Sequence, residues 1–177
     1  MSFDIEENNI KKILEHQKNI PVPIIKLANS FNIQVYRVSN MANNVSGAII
    51  NDNGIYSIYV NAKEPEHRRR FTIAHEIAHF LLHRNIIEDE LDGNLTEAKG
   101  SNGVMYRSKL YDVFEKDANK LAAEILMPLN KIQELYINSN YNIKILVNEF
   151  NVSEQAIKIR LENPYNTFLR EKKNAKM

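Results

Sequence analysis

The sequence predicts an α+β fold that is mainly helical, with a small antiparallel β-sheet or hairpin ahead of a buried helix. Segments 47–50 and 55–60 flank an Asn-Gly pair at 53–54, which is the clearest short signal for a hairpin turn. Residues 66–83 become apolar on almost every side after their first turn, as is typical of a buried helix. Residues 108–127 carry an amphipathic helical pattern. These observations together predict long helices combined with one small sheet.

The remaining predicted elements are shorter. Pro21 and Pro23 separate a first amphipathic helix from a second one, and alternating polarity then predicts a strand. Residues 84–107 are polar and contain three glycines, so we predict a long loop with at most short helical turns. Two or three helices follow Pro128. These shorter predicted helices comprise residues 8–19, 24–30, 129–137, 142–150 and 153–162. The additional predicted strand comprises residues 33–38.

The composition is that of a soluble globular protein. The chain has 177 residues, of which 44% are hydrophobic and 25% charged, enough to bury a core without covalent cross-links. The absence of cysteine excludes disulfides, thiolate metal sites and cysteine nucleophiles. A formal net charge of +1 gives no electrostatic argument for nucleic acid or membrane as a partner. The acidic N-terminus and the lack of a long apolar run predict a cytoplasmic location.

His75 and His79 indicate a metal site. They lie four residues apart on the predicted buried helix, so their side chains share one face, one turn apart, and two imidazole nitrogens can reach one zinc ion. Glu76 lies about 100° round the helix from His75, where it can hydrogen-bond a metal-bound water instead of joining the ligands. Polar side chains on an otherwise apolar helix need partners, and a metal ion supplies one.

Glu115 is the predicted third ligand. A catalytic zinc keeps three protein ligands and leaves the fourth position to water. Glu115 is the one charged side chain within the apolar face of helix 108–127, where an unpaired carboxylate is costly. Two alternatives stay open. Glu115 could form a salt bridge with an arginine such as Arg69. His83 could be a metal ligand, or it could contact a ligand without binding the metal itself.

Asn119 is predicted to support the metal site from the same helix. It lies one turn beyond Glu115, at the edge of the apolar face. Its side chain can accept a hydrogen bond from the free ring N–H of His75 or His79, and such contacts orient metal-binding histidines.

Two stretches of the sequence resemble the ImmA/IrrE family of metallopeptidases. Residues 69–83 read Arg-Arg-Phe-Thr-Ile-Ala-His-Glu-Ile-Ala-His-Phe-Leu-Leu-His. Residues 115–128 begin with Glu-Lys-Asp-Ala-Asn and end with Leu-Met-Pro, a pattern more specific than the histidine motif alone. Segments 21–38 and 151–161 also match the layout of the family, so the resemblance extends over nearly the whole chain.

The resemblance implies a fold, a cofactor and a substrate. The implied fold is a gluzincin-like minimal zincin. We predict that this domain comprises residues 1–137, and that residues 138–177 form a helical, helix-turn-helix-like appendage packed on it, with a flexible basic tail. One zinc ion is held by the two motif histidines and Glu115, with Glu76 as the catalytic base. The implied activity is that of an anti-repressor protease, which cleaves a helix-turn-helix repressor encoded nearby on a phage or mobile element.

Two further features are predicted to act on a substrate. A second electrophile usually assists the metal in stabilising an oxyanion, and the candidates are Tyr106, Arg107, Tyr111 and His67. The strand at 55–60 could bind an extended substrate by β-augmentation, as an edge strand can.

Two other classes of function stay open. Residues 142–162 fit the spacing of a helix-turn-helix with Ser153 as N-cap, so Lys158 and Arg160 could face DNA in a regulator built on a zincin fold. The near-neutral charge argues against this class. The other class is a non-catalytic binding protein, and the intact Glu76 argues against it.

Overall fold

The computed structural model describes residues 5–42, 44–91 and 101–162, with the side chains of all of these except 85–91 and 101–111. Seven helices and three strands lie within these ranges. The helices are α1 (Glu7–His16), α2 (Ile24–Ser30), α3 (Glu66–Leu91), α4 (Ser101–Leu126), α5 (Leu129–Asn138), α6 (Ile143–Phe150) and α7 (Glu154–Glu162). The strands are β1 (Gln34–Val38), β2 (Gly47–Asp52) and β3 (Ile55–Asn61). The predicted α+β, mainly helical fold is confirmed.

The three strands form one mixed sheet in the order β1-β3-β2. β2 and β3 are the predicted antiparallel hairpin, and Asn53 and Gly54 at its turn have positive φ angles, as a tight Asn-Gly turn requires. β1 pairs with β3 in parallel, so the sheet is not wholly antiparallel as predicted. Because β3 has a neighbour on each side, the prediction that residues 55–60 could serve as an edge strand is wrong. Within the described residues, β2 is the edge of the hairpin.

α3 and α4 pack together along faces that carry small side chains. Ala74 and Ala78 of α3 and Ala118 and Ala122 of α4 are fully buried, and side chains at the contact set the distance between two helix axes. α3 also contacts β2 and β3. It therefore lies between α4 and the sheet, so its polar side chains can meet groups from both.

The segment predicted as a loop, 84–107, is helical in most of its length. α3 continues to Leu91 and α4 begins at Ser101, while residues 92–100 lie outside the described residues. Arginine, glutamate and leucine favour helices, and the segment has no proline. The polarity of the segment therefore did not exclude a helix. Although α3 and α4 have 26 residues each, no helix in the described parts of the chain is long and apolar enough to cross a membrane.

The C-terminal helices share the core of the rest of the chain. Leu146, Phe150 and Ile157 belong to the same buried cluster as Ile13 of α1 and Ile77 of α3. One continuous core therefore joins the segment predicted as an appendage to the elements that surround α3.

Three carbonyl groups at the end of α4 accept hydrogen bonds from other parts of the chain. Gln17 Nε2, just after α1, donates to Glu124 O at 2.8 Å and to Ile125 O at 3.0 Å. Arg160 Nε of α7 donates to Met127 O at 3.1 Å. The last carbonyls of a helix have no partner within it, so α1 and α7 together cap α4. Since Arg160 is only 4% exposed, it packs inside the protein, and the alternative in which it faces DNA does not hold.

Candidate metal centre

One face of α3 borders an open cleft with a volume of about 660 Å³. Side chains spaced three, four or seven residues apart share one side of a helix, and several polar residues of α3 meet this condition. The cleft is lined by Arg68, Phe71, Thr72, His75, Glu76 and His79 from α3, by residues 44–49 from β2 and the turn before it, and by Glu115 and Asn119 from α4.

His75, His79 and Glu115 converge in this cleft. The Nε2 atoms of the two imidazoles are 2.9 Å apart. Glu115 Oε2 lies 3.2 Å from His75 Nε2, and Glu115 Oε1 lies 3.1 Å from His79 Nε2. One nitrogen or oxygen atom from each residue thus lies within 4.8 Å of the others, an arrangement that can hold a metal ion. Separations of about 3 Å suit a tetrahedral ion with bonds of ~2.0–2.1 Å, and two imidazoles with one carboxylate are a donor set typical of zinc.

The outward-facing ring nitrogen of each histidine also has a partner. Asn119 Oδ1 lies 3.1 Å from His75 Nδ1, which is the contact that the sequence predicts for one of the two histidines. His83 Nδ1 lies 3.0 Å from His79 Nδ1. A neutral histidine that offers Nε2 to a metal carries its proton on Nδ1, so both Nδ1 atoms donate in that state. His83 therefore contacts His79 on the Nδ1 side of its ring. It is not a member of the group whose ligand atoms converge.

Burial keeps both converging histidines neutral. It lowers the pKa of His75, and the nearby Glu115 carboxylate opposes this effect. The pKa of His79 is lowered to about 4, first by burial and then by the proximity of His75. At pH 7 each imidazole therefore has a lone pair to offer, and the neutral imidazole is the form that binds a metal ion.

Glu76 lies beside the converging group and has a perturbed proton affinity. Its side chain is only 9% exposed. Burial, and then the Glu115 carboxylate, raise the pKa of Glu76 to about 7, while a hydrogen bond from the backbone N–H of Ile49 opposes the rise. A carboxyl group with this pKa can take up and release a proton near neutral pH, as a general base must.

Several other predicted residues do not join the site. Arg69 donates a hydrogen bond to the Glu64 carbonyl oxygen and lines a separate cavity beside α2, so it is not the partner of Glu115. His67, in the first turn of α3, is not among the described residues that line the cleft. The other oxyanion candidates have side chains outside the described residues: Tyr106, Arg107 and Tyr111.

Comparison with known protein families gives a match over most of the chain. A peptidase family model described as the IrrE N-terminal-like domain matches residues 28–162. The chain belongs to this IrrE N-terminal-like family. The predicted resemblance to ImmA/IrrE metallopeptidases is thereby confirmed. The converging histidines and Glu115 all lie within the matched range.

A solved structure with the same fold comes from a transcriptional regulator of Mycobacterium tuberculosis. The two chains are 16% identical with a TM-score of 0.58, and the alignment covers 92% of this chain and 50% of the regulator. This member of the IrrE N-terminal-like family thus spans about half the length of that protein. At this level of identity the likeness establishes a shared fold only. A search of curated proteins found no match.

Two features of this family member's cleft were missed by sequence reasoning. Arg68 lies seven residues before His75, two turns along the same face of α3, so its spacing could have predicted that it lines the cleft.

Gly47 of β2 packs against α3 so closely that an added Cβ would clash with the Thr72 side chain and lie 2.7 Å from Tyr59 O. No local pattern gave this contact, because it depends on how the strands are ordered in the sheet.

Proposed function

We propose that this chain is a zinc-dependent endopeptidase that binds one zinc ion through His75, His79 and Glu115 and uses Glu76 as its general base. The observation that carries the proposal is the convergence of three ligand-type side chains in an open cleft, with a carboxyl group of pKa about 7 beside them. Structural zinc sites are usually closed by a fourth protein ligand, whereas catalytic sites keep one position for water. Among the described residues, the converging group has three members.

In this mechanism the residues of the chain supply orientation and proton transfer. Bound zinc would supply a Lewis acid that polarises the scissile carbonyl and acidifies a water molecule. Glu76 accepts a proton from the attacking water and then donates it to the nitrogen of the leaving amine, which returns Glu76 to its starting state. The N–H of Ile49 holds the Glu76 carboxylate. Asn119 orients the ring of His75 through its contact with Nδ1. His83 orients the ring of His79 in the same way.

The edge of β2 offers a binding place for an extended substrate. Ser46 O accepts a hydrogen bond from Asn61 N of β3, whereas the N–H of Ile49 is directed to Glu76. Backbone groups alternate in direction along a strand, so the N–H and C=O groups of Gly47 and Ile49 face away from β3. Because Glu76 takes the Ile49 N–H, both groups of Gly47 and the Ile49 C=O are left for a substrate strand. A substrate strand that added to this edge would lie in the cleft that residues 44–49 line together with His75 and His79.

We further propose that the substrate is a helix-turn-helix repressor encoded by a neighbouring gene. Membership of the IrrE N-terminal-like family supports this part of the proposal. The open cleft and its edge strand suit an extended, cleavable segment of such a protein. Because a repressor acts on DNA inside the cell, we place the reaction in the cytoplasm.

The proposal is tested by metal analysis and by co-expression with the neighbouring repressor. Wild type should contain stoichiometric zinc and cleave the repressor, and Glu115→Ala should lose the zinc. Glu76→Gln should keep its zinc but cleave ~10²–10⁴-fold more slowly, because an amide cannot accept the proton. Glu149→Gln, a substitution at an exposed position of α6, is the matched control.

Two results would contradict this assignment. Cleavage at the wild-type rate by zinc-loaded Glu76→Gln would remove Glu76 from the mechanism. A wild-type protein that binds no zinc would refute the proposed class of enzyme.

A DNA-binding role has less support from the C-terminal helices. Arg160 is buried and donates its hydrogen bond to Met127 O. Lys158 is exposed but lies 2.6 Å from a Glu154 carboxylate oxygen. Tight binding of DNA at physiological salt, lost in Lys158→Ala, would favour the regulator class over the protease.

A further inference from the structure

We propose that His83 is a positioning residue that fixes the proton of His79 on Nδ1 and so directs the His79 Nε2 lone pair into the metal site. The inference rests on the proposed zinc site and extends it to a residue that is not a ligand. Its basis is the 3.0 Å distance between His83 Nδ1 and His79 Nδ1.

Two imidazole nitrogens at this distance share one proton. One nitrogen must donate and the other must accept. When His79 offers the lone pair of Nε2 to a metal ion, its own proton is on Nδ1, so His83 Nδ1 is the acceptor and the proton of His83 is on Nε2. In this state His83 accepts from His79 Nδ1 and so stabilises the neutral tautomer of His79 that leaves Nε2 free to bind.

The surroundings of His83 hold it in the orientation that this role requires. The side chain is 2% exposed, and its ring centroid lies 4.7 Å from that of Phe114 on α4. Phe114 directly precedes Glu115 in the sequence. The same turn of α4 thus brings one ligand to the site and packs against the residue that orients another. Movement of α4 relative to α3 would disturb both.

The two converging histidines have partners of different chemistry. His75 Nδ1 faces the amide oxygen of Asn119 at 3.1 Å, whereas His79 Nδ1 faces a ring nitrogen. The ring of His83 combines a hydrogen-bond acceptor with a packing surface, and substitutions can separate these two properties. Phenylalanine keeps the ring and loses the acceptor, while asparagine loses the ring and keeps an acceptor at the δ position.

The test compares these two substitutions in the full chain. Zinc affinity, measured by competition with a chromogenic chelator, should fall about 10- to 100-fold in His83→Phe, the range found when partners of metal-binding histidines are removed. His83→Asn should restore most of this loss. His67→Phe removes a histidine from the same helix outside the cleft and should bind zinc like wild type. Urea denaturation of the metal-free variants checks that each is folded.

Two results would overturn the positioning role. One is wild-type zinc affinity in His83→Phe, and the other is an equal loss of affinity in folded His83→Phe and His83→Asn.

A second measurement uses the wild-type protein and does not depend on the folding of a variant. Nuclear magnetic resonance of ¹⁵N-labelled, zinc-loaded protein should show a proton on His79 Nδ1, with a coupling across the hydrogen bond to His83 Nδ1. A proton on His83 Nδ1 would overturn the inference. A wild type that binds no zinc is a separate outcome, which refutes the proposed function itself.

Discussion

Without a metal ion, the charge on Glu76 should make the stability of the protein depend on pH. Glu76 has an ordinary pKa of 4.5 and one of about 7 in the folded chain, because it is buried and lies near Glu115. A carboxyl group whose pKa rises on folding stabilises the folded state while it is protonated, and this contribution is lost as the pH rises through the folded-state pKa. The contribution of Glu76 to the stability of the metal-free protein should therefore fall between pH 4.5 and about 7.

Glu76→Gln removes this pH-dependent loss. One pH unit of pKa change corresponds to about 1.36 kcal/mol, so the rise from 4.5 to about 7 amounts to about 3 kcal/mol. Glutamine cannot ionise, yet its side-chain oxygen can still accept the hydrogen bond from Ile49. The free energy of unfolding of metal-free Glu76→Gln should match that of wild type near the ordinary pKa of 4.5 and exceed it by about 3 kcal/mol above pH 7.

The measurement is urea denaturation of both metal-free proteins across this pH range, with the exposed Glu149→Gln as control. Zinc should close the difference between Glu76→Gln and wild type, because a cation beside Glu76 favours the charged carboxylate. A difference in unfolding free energy that stays constant with pH would refute the reasoning. It would show that burial and Glu115 do not raise the pKa of Glu76.

Three further predictions follow from the packing and from the metal site. Gly47→Ala should lower the free energy of unfolding by about 1–3 kcal/mol, because its Cβ clashes with Thr72; an unchanged urea midpoint would contradict this close approach. Arg160→Met should destabilise the fold by about 3 kcal/mol, since it leaves the buried Glu124 carboxylate without the opposite charge of Arg160. The exposed Lys158→Met is its control and should leave the thermal midpoint nearly unchanged; equal losses would contradict the burial of Arg160. Zinc at about a thousand times its Kd should add about 4 kcal/mol to wild type in calorimetry and nothing to Glu115→Ala.

Local spacing was sufficient to predict much of the fold and the members of the converging group. The bounds of α2 agree with the prediction at both ends, and the Asn-Gly turn lies where the hairpin required it. The i, i+4 spacing of His75 and His79 fixes their shared face through helix geometry alone. Glu115 stood out because a carboxylate in an apolar stripe needs a partner. Each of these signals depends on neighbours in the sequence.

The errors concern contacts between segments that are distant in sequence. β3 is the middle strand because β1 joins it from the far side, and no pattern within residues 55–60 reports that neighbour. Arg160 has the spacing of a DNA-facing residue, but its position beside Met127 depends on how α7 packs on the end of α4. The contact of His83 with His79 depends on the rotamers of both side chains as well as on their spacing, and the sequence gives only the spacing.

Gln17 lies outside residues 28–162, the range that the family model matches, yet it donates two hydrogen bonds to the end of the helix that carries Glu115. A fragment trimmed to the matched range would lose this amide together with the fully buried Ile13. The two main-chain oxygens would then lose this donor, and the loss of Ile13 would forfeit about 1.5–3 kcal/mol of apolar burial. The smallest fragment of this chain that folds by itself should therefore begin before Gln17. The range matched by the family model is shorter than the range that the chain needs in order to fold alone.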